Sequence, residues 1–481
     1  MTAAAKAMSL DGLKRRALSL GAVKAFDHAM QFLLPVILVR CLDAATFGEY
    51  RLLWLAVGTL TAVTTLNMAG GLYFFLPRSE PRLKRLYIHH TLVFFALAGL
   101  LSAWAVSAWN PWLPVAVKPL TAYGALVPAF VALWCASIIL DYLPTIEEQI
   151  PTQARVTVSL SLLRVGLVGA AAAAAGEMSV VLWALLALVI LKFALLLVYI
   201  QGRHGLGKPW LDRRLFAAQV RYTAPFGVSN ALYSLRGQTD QWVAASLFAL
   251  HSFAAFSIAA VLAPLVYVFR HSVLEAFLPS MSRLEASGDV RGMLEMSSRG
   301  NVLVASLIFP ALALAFGFAE DLISVVYTPS YLDAAPVMRV YVIGMAAMAI
   351  EVGSVLLLLR QGRYALGVNS LALAVSAAVS VAAATRIGLP GAALGSVVAI
   401  YLERCITLRR ICAATGLKLR ELQDWPALAR ALGSSAIAAS LAVISVDLLQ
   451  PSSAPFTRLL TGGSILGLAY LGMNVLGRKA A

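Results

Sequence analysis

The stretch AVKAFDHAMQFLLPVILVR, residues 22–40, lies in a segment that is apolar enough to cross a lipid bilayer. It nevertheless carries Lys24, Asp27, His28 and Gln31. These residues are spaced i, i+3, i+4 and i+7, which places them on one stripe of a helix about 100° wide. A Lys or Asp near the centre of a membrane helix costs about 2.5 to 3.5 kcal/mol. We therefore expect the stripe to face a bundle interior or a water-filled cavity rather than lipid.

The composition of the whole chain agrees with a membrane location. Of its 481 residues, 60% are hydrophobic and 13% are charged, and the mean hydropathy is +0.82. Soluble domains carry roughly 25% charged residues. The formal net charge of +15 does not indicate nucleic-acid binding, because the basic residues fall in short connectors between apolar runs. We predict an all-α polytopic membrane protein.

The apolar runs set the number and direction of the crossings. With about 20 residues per crossing, we predict about fourteen transmembrane helices, near 18–39, 50–72, 87–108, 122–143, 157–176, 179–201, 222–247, 253–277, 300–319, 336–358, 364–385, 391–412, 431–449 and 459–477. Alternate connectors are basic, as in PRSEPRLKR (77–85) and LRRICAATGLKLR (408–420). The positive-inside rule then places both termini in the cytoplasm.

A weak internal repeat relates ATFGEYRLLWLAVGTL (45–60) to HSFAAFSIAAVLAPL (251–265), six predicted helices later. An even number of helices between the copies means that both halves enter the membrane in the same direction. We predict two parallel six-helix bundles around a central cavity, plus two C-terminal helices. The predicted segments are a cytoplasmic or interfacial N-terminal segment (1–17), an N-lobe (18–201), a basic linker (202–221), a C-lobe (222–412), an amphipathic linker (413–430), helices 13 and 14 (431–477) and a cytoplasmic tail (478–481).

Five local patterns, each present once, are spread over nearly the whole chain: RCLDAATFGEYRLLW (40–54), YTAPFGVSN (222–230), FLPSMSRLEASGDV (277–290), YTPSYLDAAPVMRVYVIG (327–344) and GLPGAALGSVVAIYLER (388–404). With Asp240 and the helix spacing, they resemble the Wzx-type flippases of the multidrug/oligosaccharidyl-lipid/polysaccharide (MOP) exporter superfamily. The resemblance implies carriage of polyprenyl-diphosphate-linked oligosaccharides to the outer leaflet of the bacterial inner membrane by alternating access. O-antigen, exopolysaccharide or capsule synthesis would be the setting.

Further polar side chains follow helical spacing in the second half. Ser229, Tyr233, Arg236 and Asp240 form a stripe on the seventh helix, where Arg236 and Asp240 can pair because they are four residues apart. The eighth helix carries a second stack, which consists of Tyr267, His271 and Glu275. Arg270 lies beside this stack.

These stripes supply the candidate binding residues. In lipid II flippases of the same superfamily, basic residues on the first, second and eighth helices face the cavity, which implies that role for Lys24, Arg51 and Arg270. Arg grips diphosphate oxygens bidentately and Lys meets them as a point charge. The predicted substrate-binding residues are Lys24, Arg51, Arg236, Arg270, Gln31 and Tyr233.

Two ways of driving transport remain open. The membrane potential favours outward movement of an anionic headgroup by about 2.3 kcal/mol per charge per 100 mV. Alternatively, a proton or sodium ion is coupled at one of the candidates Asp27, Asp240, Glu275, Glu351, His28 and His271. The competing interpretation is that intramembrane charges form structural ion pairs or snorkel to an interface, and we prefer it for Arg164, Lys192, Glu403 and Arg404.

Other motifs do not support soluble-enzyme chemistry. The four cysteines have no metal or disulfide spacing. GRHGLGK (202–208) fits a phosphate-loop pattern, but Pro209 replaces the required Ser or Thr and a membrane helix precedes it. GAALG (391–395) indicates a helix-packing surface. We expect no enzyme activity, no cofactor or metal, and no nucleotide or nucleic-acid partner.

Two other functions are weighed against the flippase. A drug/cation antiporter of the same superfamily would normally stop at twelve helices and need less cationic charge in its cavity. A membrane polysaccharide polymerase or ligase should show a long outer loop with catalytic acids or bases. The expected partners are the lipid-linked oligosaccharide and membrane lipids, with a polymerase or other polysaccharide assembly protein as an open alternative.

Overall fold

The computed structural model describes residues 10–208 and 210–480, except for the side chains of residues 10–20, 265, 363 and 475–480. All regular secondary structure in this part of the chain is helical, which confirms the predicted all-α architecture. The α-helices are α1 Leu10–Cys41, α2 Ala44–Thr64, α3 Met68–Phe75, α4 Pro81–Ala105, α5 Leu126–Ser137, α6 Leu143–Ile146, α7 Ile150–Ala175, α8 Met178–Arg203, α9 Arg213–Leu247, α10 Leu250–Ile258, α11 Ala263–Ala286, α12 Val290–Gly317, α13 Ala319–Val326, α14 Ala334–Ala347, α15 Gly353–Leu358, α16 Gly362–Ile387, α17 Leu389–Thr415, α18 Leu419–Leu422, α19 Trp425–Leu449 and α20 Pro455–Ala480.

The crossings follow the predicted segments, but several are broken. Within the described residues, nine helices are long and apolar enough to cross a bilayer, and α2 with α3, which meet at 45°, supply a tenth. Each predicted segment coincides with one helix or with a succession of shorter ones. The second predicted helix breaks at Leu66 and Asn67, whose φ angles of 45° and 54° cannot continue a right-handed helix.

The chain divides into two compact units, an N-terminal unit that ends at Ser234 and a C-terminal unit that begins at Leu235. This division falls inside α9, within the predicted C-lobe. The predicted segment boundaries, from the N-lobe at 18–201 to the tail at 478–481, stay a prediction. The interfacial role of 1–17 concerns side chains that lie outside the described residues.

In the N-terminal unit, α1 packs against α7, α4 against α5, and α8 against both α5 and α7. Fully buried side chains such as Leu72, Phe95, Ile139 and Leu196 form part of its core. Lipid tails are as apolar as these side chains, so their burial supplies close packing rather than a hydrophobic driving force. This arrangement brings polar positions of α1, α7 and α8 towards one another.

In the C-terminal unit, α16 and α17 pack closely along their lengths, as GAALG predicts. A Cβ atom on Gly395 would lie 2.2 Å from the carbonyl oxygen of Ser376, and one on Gly391 would lie 2.3 Å from that of Ala383. Only glycine permits such close backbone approach. The prediction that GAALG is a helix-packing surface is confirmed.

We expect Gly395→Ala to destabilise the protein by about 1 to 3 kcal/mol, because the added methyl group meets a backbone atom that cannot move away. The matched control is Gly367→Ala on the exposed face of α16, where a Cβ meets nothing within 4 Å. At this position the higher helix propensity of Ala should raise the free energy of unfolding by up to about 1 kcal/mol. Thermal unfolding of the two purified variants tests the opposite signs, and equal shifts would contradict the packing argument.

A polar latch centred on Glu147, which lies between the predicted spans 122–143 and 157–176, links the segment after α6 to the end of α8. Glu147, between α6 and α7, accepts a hydrogen bond from Tyr199 Oη at 2.6 Å and pairs with Arg203 Nε at 3.0 Å and with His204. Burial opposes ionisation of this carboxyl group. The hydrogen bonds from His204 and Tyr199 and the nearby positive charges outweigh burial and lower the pKa of Glu147 below its usual value.

A carboxyl group with a lowered pKa stabilises the folded state above its unfolded pKa, and this stabilisation is lost as the pH falls through the folded pKa. The Glu147→Gln variant should therefore have a free energy of unfolding about 2 kcal/mol lower than that of the parent protein at neutral pH. Relative to the parent protein, that deficit should hold from about pH 7 to about pH 5 and shrink as the pH falls below the usual glutamate pKa of about 4.3 in thermal unfolding experiments. Glu177→Gln, at an exposed position between α7 and α8, is the control. A deficit for Glu147→Gln that does not change with pH would argue against the ionic latch.

Candidate functional site

A cavity of about 410 Å³ lies within the N-terminal unit, which we call the charged cavity. Side chains from α1, α2, α5, α7 and α8 line it, together with one residue from the turn after α5. Most of the wall is aliphatic or aromatic. Its charged lining residues are Asp27, Arg51, Asp141, Arg164 and Lys192. Three cations therefore face two carboxylates, and the formal charge of the lining is positive.

Asp27 joins α1 to α7 across this cavity. Its carboxylate accepts hydrogen bonds from Gln31 Nε2 at 2.7 Å and from Ser161 Oγ at 2.5 Å, and lies 3.6 Å from Nη2 of Arg164. The helical spacing of Asp27 and Gln31 gives both side chains the same direction, so α1 presents them together. The polar stripe predicted on the first helix thus reaches a cavity through two of its four members.

Lys192 forms the second ion pair of the charged cavity. Its ammonium group lies 2.7 Å from Oδ2 of Asp141 and 4.9 Å from the ring centroid of Trp134. Trp134 in turn packs edge-to-face on Trp54, with the ring centroids 4.9 Å apart. The carboxylate and the aromatic face together orient the side chain of the buried lysine.

The C-terminal unit contains a separate cluster of charges. Nη1 of Arg236 on α9 donates to Oε2 of Glu403 at 2.7 Å and to Oδ1 of Asn369 at 2.9 Å. Arg404 meets the other oxygen of the same carboxylate at 3.1 Å. Glu403 on α17 thus bridges two arginines. Arg236 pairs with it where the sequence suggested Asp240, one turn away on the same helix.

Asp240 has its own partners. Its Oδ2 accepts hydrogen bonds from Tyr341 Oη and from Ser396 Oγ, both at 2.6 Å. The side chain is 4% exposed. Its Oδ1 accepts from the backbone N–H of Gln241 at 2.8 Å, so three donors satisfy a buried carboxyl group that lies between α9, α14 and α17.

The polar residues of the eighth and tenth predicted helices do not line the charged cavity. His271 and Glu275 form an i, i+4 pair at 3.1 Å, but both side chains are exposed, so the pair adds little stability.

Arg270 lines a small cavity together with Asn301 and Glu351. The carboxylate of Glu351 accepts from the backbone N–H groups of Gly353 and Ser354 at the start of α15. This explains a lone glutamate in an apolar segment, since it caps a helix where the predicted tenth crossing breaks.

A family model described as "Polysaccharide biosynthesis protein" matches residues 37–336, more than half of the chain. The chain belongs to this family. No curated protein matches it by sequence.

Solved structures show the fold of this polysaccharide biosynthesis protein. "Lipid II flippase MurJ, inward closed conformation" is 12% identical, with 96% of this chain and 98% of that chain covered and a TM-score of 0.71. A MOP superfamily transporter from Pyrococcus furiosus is also 12% identical, over 84% of this chain and 96% of that one, with a TM-score of 0.50. Together with the family match, they confirm the resemblance to the MOP superfamily. The chain is a multi-pass membrane protein with the fold of these transporters.

The charged cavity unites three of the predicted site residues, Asp27, Gln31 and Arg51. Lys24 and His28 lie on exposed positions of α1 outside its lining, and Tyr233 is exposed on α9. Arg236, Arg270, Asp240 and Glu351 belong to the C-terminal unit. The roles predicted for all of these residues stay predictions.

Sequence reasoning did not include Arg164, Lys192 and Asp141 among the site residues. Arg164 and Lys192 were interpreted as structural pairs or snorkelling side chains, and both do form ion pairs. They also line the charged cavity, so the two roles are compatible. A charge inside an apolar helix is the signal that marks such residues, but it does not name the partner.

The ion pair of Asp27 can be measured directly. In a double-mutant cycle, Asp27→Asn and Arg164→Gln should show a coupling free energy of about 1 kcal/mol, because each single change leaves the other charge without its partner in a partly buried site. Thermal unfolding of the detergent-solubilised full-length chain provides the free energies. The control cycle combines Asp27→Asn with Arg155→Gln, at an exposed position of the same helix α7, and should show almost no coupling. Equal coupling in both cycles would refute the assigned pairing.

Proposed function

We propose that this protein is a flippase that moves polyprenyl-diphosphate-linked oligosaccharide repeat units from the cytoplasmic to the outer leaflet of a bacterial inner membrane. Membership of a polysaccharide biosynthesis family and the fold of MOP transporters support a substrate of this class. The charged cavity is the observation that carries the proposal, because it offers a positive lining inside an otherwise apolar unit.

The chemistry of the lining suits a diphosphate. Arg51 and Arg164 present planar forks of donors that match phosphate oxygens, and Lys192 supplies a compact charge. Asp27 and Asp141 hold two of these cations by ion pairs before a ligand arrives. A phosphate group that replaces a carboxylate as the partner of Arg164 or Lys192 keeps the cation paired, which lowers the cost of ligand entry.

A cationic lining also bears on the alternative of a drug/cation antiporter. Such a transporter must stabilise a positive ligand in a low dielectric, whereas three cations against two carboxylates repel it. The charged cavity therefore favours an anionic substrate. The basic connectors of the sequence place both termini in the cytoplasm in this proposal.

The membrane potential supplies a driving force for the proposed direction. With a negative cell interior, outward movement of a diphosphate gains about 2.3 kcal/mol per charge per 100 mV. Where an ion is coupled, Asp27 and Asp240 are the carboxylates best placed to bind it, because one lines the charged cavity and the other is buried among hydroxyl donors. Glu275 is exposed and Glu351 caps a helix, so both are less suited to this role.

Arg51→Gln should reduce transport at least about tenfold, because a charged hydrogen bond to phosphate contributes about 1.5 to 3 kcal/mol. The assay follows fluorescent undecaprenyl-diphosphate-linked oligosaccharide in proteoliposomes under an imposed membrane potential. Arg386→Gln, at an exposed end of α16, removes the same charge and should leave transport unchanged. Lys24→Gln in the same assay tests the role predicted for Lys24 outside the charged cavity.

In cells, deletion of the gene should lead to accumulation of the lipid-linked repeat unit on the cytoplasmic face. Extraction of polyprenyl-diphosphate oligosaccharides identifies the glycan that accumulates. Unchanged lipid pools together with altered drug susceptibility would overturn the flippase proposal in favour of the antiporter.

A further inference from the structure

A second cavity, of about 370 Å³, also lies within the N-terminal unit, and we call it the neutral cavity. Helices α2, α3, α4, α5 and α9 contribute to its wall. Its volume lies within the range of about 300 to 1,000 Å³ that is typical of small-ligand sites. None of the residues that line it is charged. Its polar groups are hydroxyls and amides, supplied by Thr61, Thr65, Asn67, Tyr142, Asn230 and Ser234.

The bend between α2 and α3 helps to form this cavity. Thr61 and Thr65 come from the end of α2, and Asn67 occupies the break, where its left-handed backbone starts α3. A straight helix would continue along one line, whereas the 45° bend turns α3 away from the axis of α2. Polar residues around a break of this kind are tolerated in a membrane protein where they line a cavity.

Trp54 and Trp134 line both the charged cavity and the neutral cavity. The two cavities are therefore adjacent, with the two indoles on the border between them and Lys192 against Trp134 on the charged side. The indole N–H of Trp54 and the hydroxyl of Thr61 are buried within this border, next to Tyr50 and Cys135 respectively. The groups left to meet a ligand are therefore the other hydroxyls and amides of the lining.

The charged lining of one cavity and the uncharged lining of the other indicate which ligand chemistry fits each. Hydroxyl and amide groups next to aromatic rings complement a neutral saccharide, whose hydroxyls donate and accept and whose C–H face packs on an aromatic ring. The absence of charge from the lining gives an anionic sugar no partner there. A lipid-linked glycan carries both chemistries in adjacent positions, with a diphosphate followed by its first sugars.

We propose that the neutral cavity is a saccharide subsite that binds the first uncharged sugar of the glycan while the diphosphate occupies the charged cavity. This inference rests on the proposed function, and it adds a specificity for neutral sugars next to the diphosphate. Thr65 and Asn230 provide hydrogen bonds to the sugar, and the bond between the diphosphate and the sugar passes the edge of the Trp54–Trp134 pair, which borders both cavities.

The test compares two lipids on the full-length protein by native mass spectrometry. The probes are undecaprenyl diphosphate and undecaprenyl-diphosphate-linked N-acetylglucosamine. Thr65→Val and Asn230→Leu should each lose roughly fivefold in affinity for the sugar-linked lipid, and less than about twofold for the sugar-free lipid. The matched control is Thr64→Val, since Thr64 is the neighbouring residue, donates to the carbonyl oxygen of Leu60 and does not line the neutral cavity.

The outcomes separate the subsite from the flippase proposal. Sugar-free lipid binding at the parent level shows that each variant is folded. If both lipids bind the parent protein but the variants weaken them equally or not at all, the neutral cavity holds water only and the subsite is refuted. If neither lipid binds the parent protein, the proposed function fails and the subsite fails with it.

Discussion

A charge that is removed from water must be paired, and this constraint organises both units of the protein. Lipid offers no hydrophobic driving force for helix association, so close packing and polar contacts must hold the helices together. In the N-terminal unit, Asp27 with Arg164 and Lys192 with Asp141 join α1 to α7 and α8 to the turn after α5. In the C-terminal unit, Glu403 bridges Arg236 and Arg404. The same side chains that join helices therefore also define the electrostatics of the interior.

Paired cations are well suited to bind an anion reversibly. An unpaired buried arginine would be strongly destabilising, whereas one that exchanges a carboxylate for a phosphate stays compensated throughout. The charged cavity has one more cation than it has carboxylates, and its neighbour has no charge in its lining. In the functional proposal, this division lets one unit bind the two unlike parts of a headgroup in adjacent cavities that two tryptophans border.

The sequence predicts the helical class and the course of the chain well, because apolar runs of membrane length leave few alternatives. It does not predict the breaks. The bend after α2 occurs at Leu66 and Asn67, with neither glycine nor proline at the break itself, and the backbone of Leu66 packs so closely on Gly227 of α9 that a Cβ there would lie 2.5 Å away. The role of Glu351 was likewise not predictable, because it looks isolated in an apolar segment of the sequence but caps a helix at a break in the structure.

The candidate site was only partly predictable for a related reason. Helical spacing correctly brings Asp27 and Gln31 to one face, since that depends on local geometry alone. The identity of a partner on another helix does not follow from spacing. Arg236 is within reach of Asp240 on its own helix, yet it meets Glu403, while Asp240 accepts from Tyr341 and Ser396.

The distance in sequence between these partners bears on how the protein is made. Arg236 and Glu403 are 167 residues apart, and Asp240 and Ser396 are 156 apart. At ribosomal speeds of about 5 to 20 residues per second, α9 emerges on the order of ten seconds or more before α17 exists. Throughout that interval, Arg236 and Asp240 lack the partners on α17 that they have in the folded protein. The polar contacts of the seventh predicted helix therefore become complete only after the twelfth has been synthesised.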